Sequence, residues 1–166
     1  MKATFLLSSL KLSGGVNVVF ELANGLLSRG HEITLATPKS LHHDTAALNP
    51  KIKILQGSVI PGKSNDLFRN LKVVTELNRL LPPADILIAT HTPTTVFTKI
   101  DGKNVYKGKP VWLLMDYPGM FQGQPYNLFL LNHALKWHDK TIAISRYLQE
   151  WAKRKRPSAD VSLLRI

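Results

Sequence analysis

The sequence predicts an α/β chain: a Rossmann-like three-layer αβα sandwich on a mainly parallel sheet. Three observations carry the expectation. Short β-rich runs alternate along the whole chain with helical apolar spacing. Central runs such as Ile86–Ala89 and Val111–Met115 are almost wholly apolar, as strands covered on both faces are. Glycine or proline marks most changes from one pattern to the other.

The elements follow in order. Ala3–Leu7 reads as the first strand, followed by Ser13-Gly14-Gly15. Val16, Val19, Phe20, Ala23, Leu26 and Leu27 recur at helical spacing, and Gly30 closes that helix. Ile33–Thr37 is a strand ending at Pro38. Lys51–Leu55 alternates charged and apolar residues, as an edge strand does. Asp66–Leu81 is an amphipathic helix with Leu67, Leu71, Val74, Leu77 and Leu81 on its buried face, stopped by Pro82-Pro83. Then come strands Ile86–Ala89 and Val111–Met115, helix Tyr126–Trp137, strand Thr141–Ile144, helix Arg146–Lys155 halted by Pro157, and a last strand Val161–Ile166.

At 166 residues and 44% hydrophobic content, the chain suffices for one domain, 1–166, with a real core. A charged fraction of 20% and a mean hydropathy of −0.05 argue against disorder and low complexity. The absence of cysteine excludes a disulfide scaffold and a thiolate metal site, and fits a cytoplasmic setting. Apolar runs are far shorter than the roughly 20 residues that span a bilayer. Met1-Lys2 before Ala3–Leu10 superficially suggests a secretory leader, but Lys11 interrupts it and no small-residue cleavage site follows. The net charge of +11 is spread along the chain, with one cluster at Lys153–Arg156. Such a field attracts polyanions, whether nucleic acid, anionic lipid or phosphorylated small molecules. No recognition motif accompanies it, so nucleic acid is not an expected partner.

Parallel sheets bind ligands beyond the carboxyl ends of their strands, where the strand order reverses. Three loops there bear on function. Gly14-Gly15 opens a helix and could let a ligand phosphate approach the backbone and the positive end of the helix dipole; a tight turn needing positive φ is the plain alternative. A dinucleotide fingerprint is not met, because G-x-G-x-x-G is missing and no acidic residue closes the second strand. Gly57–Ser64 satisfies G-x-x-x-x-G-K-[ST], with Lys63 as the phosphate lysine and Asp116 as a possible magnesium residue. Pro61 removes a donor N–H beside Gly62-Lys63, and Val59 and Ile60 suit the turns poorly, so a plain loop competes with the P-loop nucleotide triphosphatase. His91, after Ile86–Ala89, is either a loop-lining histidine or part of the binding rim. No metal is expected: His42-His43 are adjacent rather than spaced as ligands.

Gly14-Gly15-Val16, Glu21–Leu26 and Arg29-Gly30-His31-Glu32-Ile33-Thr34-Leu35-Ala36-Thr37-Pro38 together resemble the amino-terminal domain of glycosyltransferase family 4 enzymes of the GT-B fold. Pro83-Ala84-Asp85 before Ile86, and Lys140–Ser145, resemble that family's later strands. The resemblance covers nearly the whole chain and implies retaining sugar transfer from a nucleotide-sugar, without a metal or other cofactor, in a cleft between two lobes. It implies that Gly14 and Gly15 approach the donor phosphates; on that reading His91, Thr92 and Tyr117, placed on the rim by their loops, are expected to line the acceptor side. Many relatives carry a histidine where this chain has Asp116, which leaves a catalytic role for Asp116 open against that of a loop-initiating residue. Tyr117, Phe121 and Tyr126 could stack on a sugar ring or simply pack. Glu occurs only at positions 21, 32, 76 and 150, so no E-x₇-E segment is present. The expectation is therefore an acceptor-binding half lacking its donor-binding C-terminal domain, inactive in transfer by itself. Relatives often use lipid-linked acceptors at the inner membrane face, and Lys63, Arg69, Lys72 and Arg79 suggest peripheral contact with an anionic membrane surface. A basic, non-enzymatic binding module is the remaining alternative.

Overall fold

The computed structural model describes residues 1–41, 44–62, 66–99, 108–138 and 140–164. Its elements are β1 (Lys2–Leu6), α1 (Gly14–Ser28), β2 (Glu32–Thr37), β3 (Lys53–Gln56), α2 (Leu67–Leu80), β4 (Ile86–Ala89), α3 (Thr95–Lys99), β5 (Lys109–Leu114), α4 (Pro125–Trp137), β6 (Lys140–Ala143), α5 (Arg146–Lys155) and β7 (Val161–Leu163). The strands form one sheet in the order β3-β2-β1-β4-β5-β6-β7, and every pairing is parallel. The predicted fold class is the observed one.

Each face of the sheet carries its own helices. Val16, Val19, Phe20 and Ala23 of α1 close over Ala3, Phe5, Leu35 and Leu113 on one face. Asn24 pins the following segment onto α1: its Nδ2 donates to Ala47 O at 2.9 Å and its Oδ1 accepts from Asn49 N at 2.9 Å. That clamp seats Leu48 and Ile52 in the same core. On the other face, α2 and α3 cover Leu6, Ala36 and Leu87, while α4 and α5 cover Trp112, Leu114 and Ala143.

Local signals explain the boundaries. Gly30, at φ 82°, ends α1 as predicted: Gly30 N–H donates to Leu27 O and His31 N–H to Leu26 O, the paired bonds of a Schellman cap. Ser13 and Ser145 cap α1 and α5, accepting from Val16 N and Leu148 N. Asp85 ties the start of β1 to that of β4: its carboxylate accepts from Lys2 N at 2.7 Å, and its own N–H donates to Lys2 O. β3 is indeed an edge strand, with Lys53 and Ile54 exposed.

Two expectations need correction. Gly14 and Gly15 do not form a positive-φ turn; they are the first two residues of α1, which starts a half-turn before Val16. Val74, Leu77 and the capping Leu81 of the expected face of α2 are buried, together with Val73, but Leu71 is 52% exposed and Phe68 83% exposed; the Leu67 side chain lies outside the described residues. Asn70 and Glu76 both turn back to the β3–α2 loop: Asn70 Oδ1 accepts from Gly62 N, and Glu76 accepts from Ser58 and Val59. α3 was not foreseen, since five threonine-rich residues are too short to display a period.

Candidate functional site at the strand-order reversal

The order reverses between β1 and β4, so the loops leaving these two strands frame a crevice. The loop after β4 is locked by threonines. Thr90 Oγ1 donates to Leu6 O at 2.7 Å, Thr94 Oγ1 accepts from Thr90 N and donates to His91 O, and Thr95 Oγ1 donates to Thr92 O. All four are buried. The backbone carrying His91 is thereby fixed before any ligand arrives.

His91 is not alone. β5 runs beside β4, so the residue following β5's apolar stretch, Asp116, emerges next to it. Asp116 Oδ1 lies 3.2 Å from His91 Nδ1, and Asp116 Oδ2 accepts from Thr92 N. With 3% of its surface exposed, Asp116 is a buried carboxylate. Burial is the largest influence and pushes its carboxyl up. The His91 ring and the Thr92 N–H outweigh burial together and hold the carboxyl below its ordinary value. An ionised Asp116 requires His91 Nδ1 to carry its proton, leaving Nε2 as the nitrogen that can meet a ligand.

Nε2 looks towards α1. A Cβ built on Gly15 would stand 3.0 Å from His91 Cε1 and 3.3 Å from Nε2, and 3.5 Å from Met115 Cε. Gly15 is thus the hole that admits the imidazole. Gly14 meets nothing within 4 Å, and the first turn of α1 holds no acidic residue, so that helix end stays open to an anion. Gly15, His91, Thr92 and Asp116 accordingly form one contact cluster, with Gly14 next to it at the start of α1. Tyr117 starts a short 3-10 turn, Pro118–Phe121, with its ring over Gly119. Phe121 is core, packed among Trp112, Leu114 and Leu131.

Near this cluster, with Pro93 and Thr94 of the same loop in its lining, lies a cavity of about 510 Å³. It sits over the carboxyl ends of β1 and β2, between α2, α3 and the start of α4, where Tyr126 contributes its ring. The sequence reading missed this cavity and the His91–Asp116 pair, both of which depend on which strands are neighbours.

The apparent phosphate loop is filled by the protein itself. Ser58 N and Ser58 Oγ donate to Glu76 Oε1, at 2.8 and 2.5 Å, and Val59 N donates to Glu76 Oε2 at 3.1 Å. A Cβ on Gly57 would come within 2.8 Å of Glu76 Oε2, so this glycine serves an internal carboxylate. The hydroxyl and N–H of Ser58 hold Glu76 below its ordinary value, helped by Val59 N–H against a small effect of burial. Gly57 N donates to Thr37 O and Gly62 N to Asn70 Oδ1, which leaves no inward-facing cradle over those residues. Asp116, the supposed magnesium residue, is held by His91 and Thr92. Lys63 and Ser64 lie outside the described residues, as do His42 and His43. Among the described residues no cluster of three or more metal-ligating side chains occurs.

Known structures share this architecture. The Anabaena HepE protein, solved with UDP and glucose, superposes with a TM-score of 0.71 at 18% identity over 99% of this chain and 44% of its own. Sucrose-phosphate synthase from Thermosynechococcus elongatus gives 0.72 at 12% identity over 98% of this chain and 47% of its own. The lipopolysaccharide outer core galactosyltransferase WaaB in its apo form gives 0.67 at 17% identity over 98% and 44%. The chain thus spans under half the length of these proteins. Curated protein sequences yield no match. The profile of Glycosyltransferase Family 4 matches residues 12–164, nearly the whole chain, and the protein belongs to that family.

Proposed function

We propose that this chain is the acceptor-side half of a retaining glycosyltransferase that moves a sugar from a nucleotide-sugar donor to a carbohydrate or lipid-linked acceptor. The observation that carries the reading is the crevice at the strand-order reversal. It combines an open helix end at Gly14-Gly15, suited to donor phosphates, with a pre-positioned His91–Asp116 pair and a neighbouring cavity. In this reading His91 Nε2 faces a sugar hydroxyl, and Asp116 fixes the ring's tautomer and angle. Thr92 supplies the N–H that keeps Asp116 in place. Tyr117, 47% exposed, stands at the rim. No metal or other cofactor enters. A donor-binding lobe completes the cleft, because transfer needs donor and acceptor held together. The test is calorimetric titration with UDP-glucose, GDP-mannose and ATP, followed by a transfer assay, both with a donor-binding lobe supplied. Nucleotide-sugar binding sensitive to G15V and a product of retained anomeric configuration support the reading. ATP binding abolished by K63A overturns it in favour of the triphosphatase.

Peripheral contact with an anionic membrane belongs to the same proposal. Phe68 and Leu71 project outward from α2 among Arg69, Lys72 and Arg79, an apolar and basic combination suited to a lipid surface. Among the described residues no helix is long and apolar enough to cross a membrane. Flotation with vesicles, with and without acidic lipid at two salt concentrations, tests the contact and separates it from a purely non-enzymatic docking role.

A further inference from the structure

We infer that Thr94 is the positioning residue for His91: its single hydroxyl fixes the backbone from which the imidazole reaches Gly15 and Asp116, and so governs turnover at the site rather than affinity for it. This rests on the acceptor-side reading above for what His91 meets, and it adds the residue through which the ring is held in line.

Thr94 Oγ1 accepts from Thr90 N at 3.0 Å and from His91 N at 3.2 Å, and it donates to His91 O at 2.7 Å. Thr94 N donates to the same His91 O at 2.8 Å. The N–H and the C=O of His91 therefore both bond to one residue three positions along the chain. A hydroxyl has two acceptor lone pairs and one donor hydrogen, so Thr94 Oγ1 is fully used. The 3-10 turn that carries these residues, Thr92–Thr94, is only three residues long and has Pro93 at its centre. Side-chain bonds, rather than a helical ladder, keep such a turn in shape. Thr94 is 1% exposed, so removing its hydroxyl leaves the His91 N–H buried without an acceptor, and the backbone must move to recover one.

The ring has little latitude. Asp116 Oδ1 stands 3.2 Å from Nδ1 on one edge, and a Cβ at Gly15 would stand 3.0 Å from Cε1 on another. A backbone shift large enough to break the bonds to Thr94 carries the imidazole out of that slot. Functional groups must stay within about 0.5 Å of their productive positions, and a misplacement of about 1 Å costs on the order of a hundredfold in rate. Thr94 also belongs to the lining of the cavity, so its two roles must be told apart. Valine keeps the branched shape and loses the hydroxyl, whereas serine keeps the hydroxyl and loses the methyl.

The experiment compares T94V and T94S with the natural chain. Ring ¹⁵N and ¹³C resonances of His91 are recorded on the chain, and transfer kinetics are followed with a donor-binding lobe supplied. T94V should shift the ring resonances and lower kcat at least about tenfold, with the KM of the nucleotide-sugar changed by less than about twofold. T94S should restore both the ring spectrum and kcat. T98V removes another buried hydroxyl, one that bonds Thr95 O and His138 Nε2, and should lose stability with the His91 spectrum unmoved. If T94V fails to fold, T94C, with a weakly bonding thiol, should show the same ring shift at smaller amplitude. Natural ring resonances and kcat in T94V overturn the inference, as does a T94S chain that behaves like T94V. A raised acceptor KM in T94S beside a natural T94V also overturns it, assigning Thr94 to the cavity wall instead. If T94V moves the ring while the natural chain transfers no sugar, the acceptor-side reading falls and takes the turnover role with it, while the holding of His91 by Thr94 stands. If the natural chain and T94V transfer equally well, only the present inference falls.

Discussion

Replacing Asp116 by Asn removes one charge and almost no volume, which isolates what the carboxylate does. The buried side chain accepts from Thr92 N and from His91 Nδ1. An amide has one acceptor oxygen. If that oxygen stays on Thr92 N–H, its NH₂ faces His91 Nδ1, and the imidazole must move its proton to Nε2. D116N therefore exchanges two hydrogen bonds to a charged group for two neutral ones. Charged-group bonds contribute roughly 1.5–3 kcal/mol and neutral ones about 0.5–1.5 kcal/mol, a difference of about 2–3 kcal/mol over the two bonds; relief of the cost of burying the charge offsets part of it, leaving an expected loss on the order of 1–2 kcal/mol. For a chain of this size that corresponds to a fall in Tm of roughly 2–8 °C. D116A should cost more, because Thr92 N–H is left buried without an acceptor. The pH dependence has a definite sign. Asp116 is held below its ordinary value of 3.8, so its contribution is complete above about pH 4 and disappears as pH falls through the lower folded value. The stability difference between wild type and D116N should shrink over that acid range. Urea unfolding measured against pH, with ¹⁵N shifts of the His91 ring, reads both effects. Unchanged stability together with an unmoved Nδ1 proton would refute the pairing.

Three further outcomes can be checked on the same material. G14A fills open space in the first turn of α1 and should gain up to about 1 kcal/mol, whereas G15A meets the His91 ring at 3.0 Å and should gain nothing or lose stability while shifting His91 resonances; paired urea melts decide. E76A empties the loop that Ser58 and Val59 wrap and should cost about 1–2 kcal/mol, tempered by partial exposure. The Glu76 contribution, with its carboxyl held below 4.5, should likewise fade as pH drops beneath that value. N24A severs both bonds to the Ala47–Asn49 segment and should lose roughly 1–2 kcal/mol, with raised amide exchange there.

The alternation of apolar runs, Gly30 at the end of α1 and the charge alternation of β3 were legible because each is set by the residues of one element. So was the placing of Gly14-Gly15 and His91 beyond the carboxyl ends of β1 and β4, since those ends are fixed by chain direction. The Gly57–Ser64 motif shows the limit. Its letters match a phosphate loop, and Pro61 already argued against one, but only the structure reveals Glu76, from a helix some twenty residues on, seated where an anion would go. One position on the buried face of α2 was misread for a related reason: Asn70 and Glu76 bond to the preceding loop, and Leu71 faces outward while Val74, Leu77 and Leu81 stay buried.

The sequence by itself determined the parallel α/β class, the order of the elements and the side of the sheet from which the Gly14-Gly15 and His91 loops emerge, because local periodicity and chain direction suffice for these. Tertiary structure decided that Asp116 meets His91, that Gly15 makes room for the imidazole, and that a cavity opens between α2, α3 and α4. Those facts depend on β4 lying beside both β1 and β5, a strand order that hydrogen bonds between distant segments impose and that no stretch of neighbouring residues encodes.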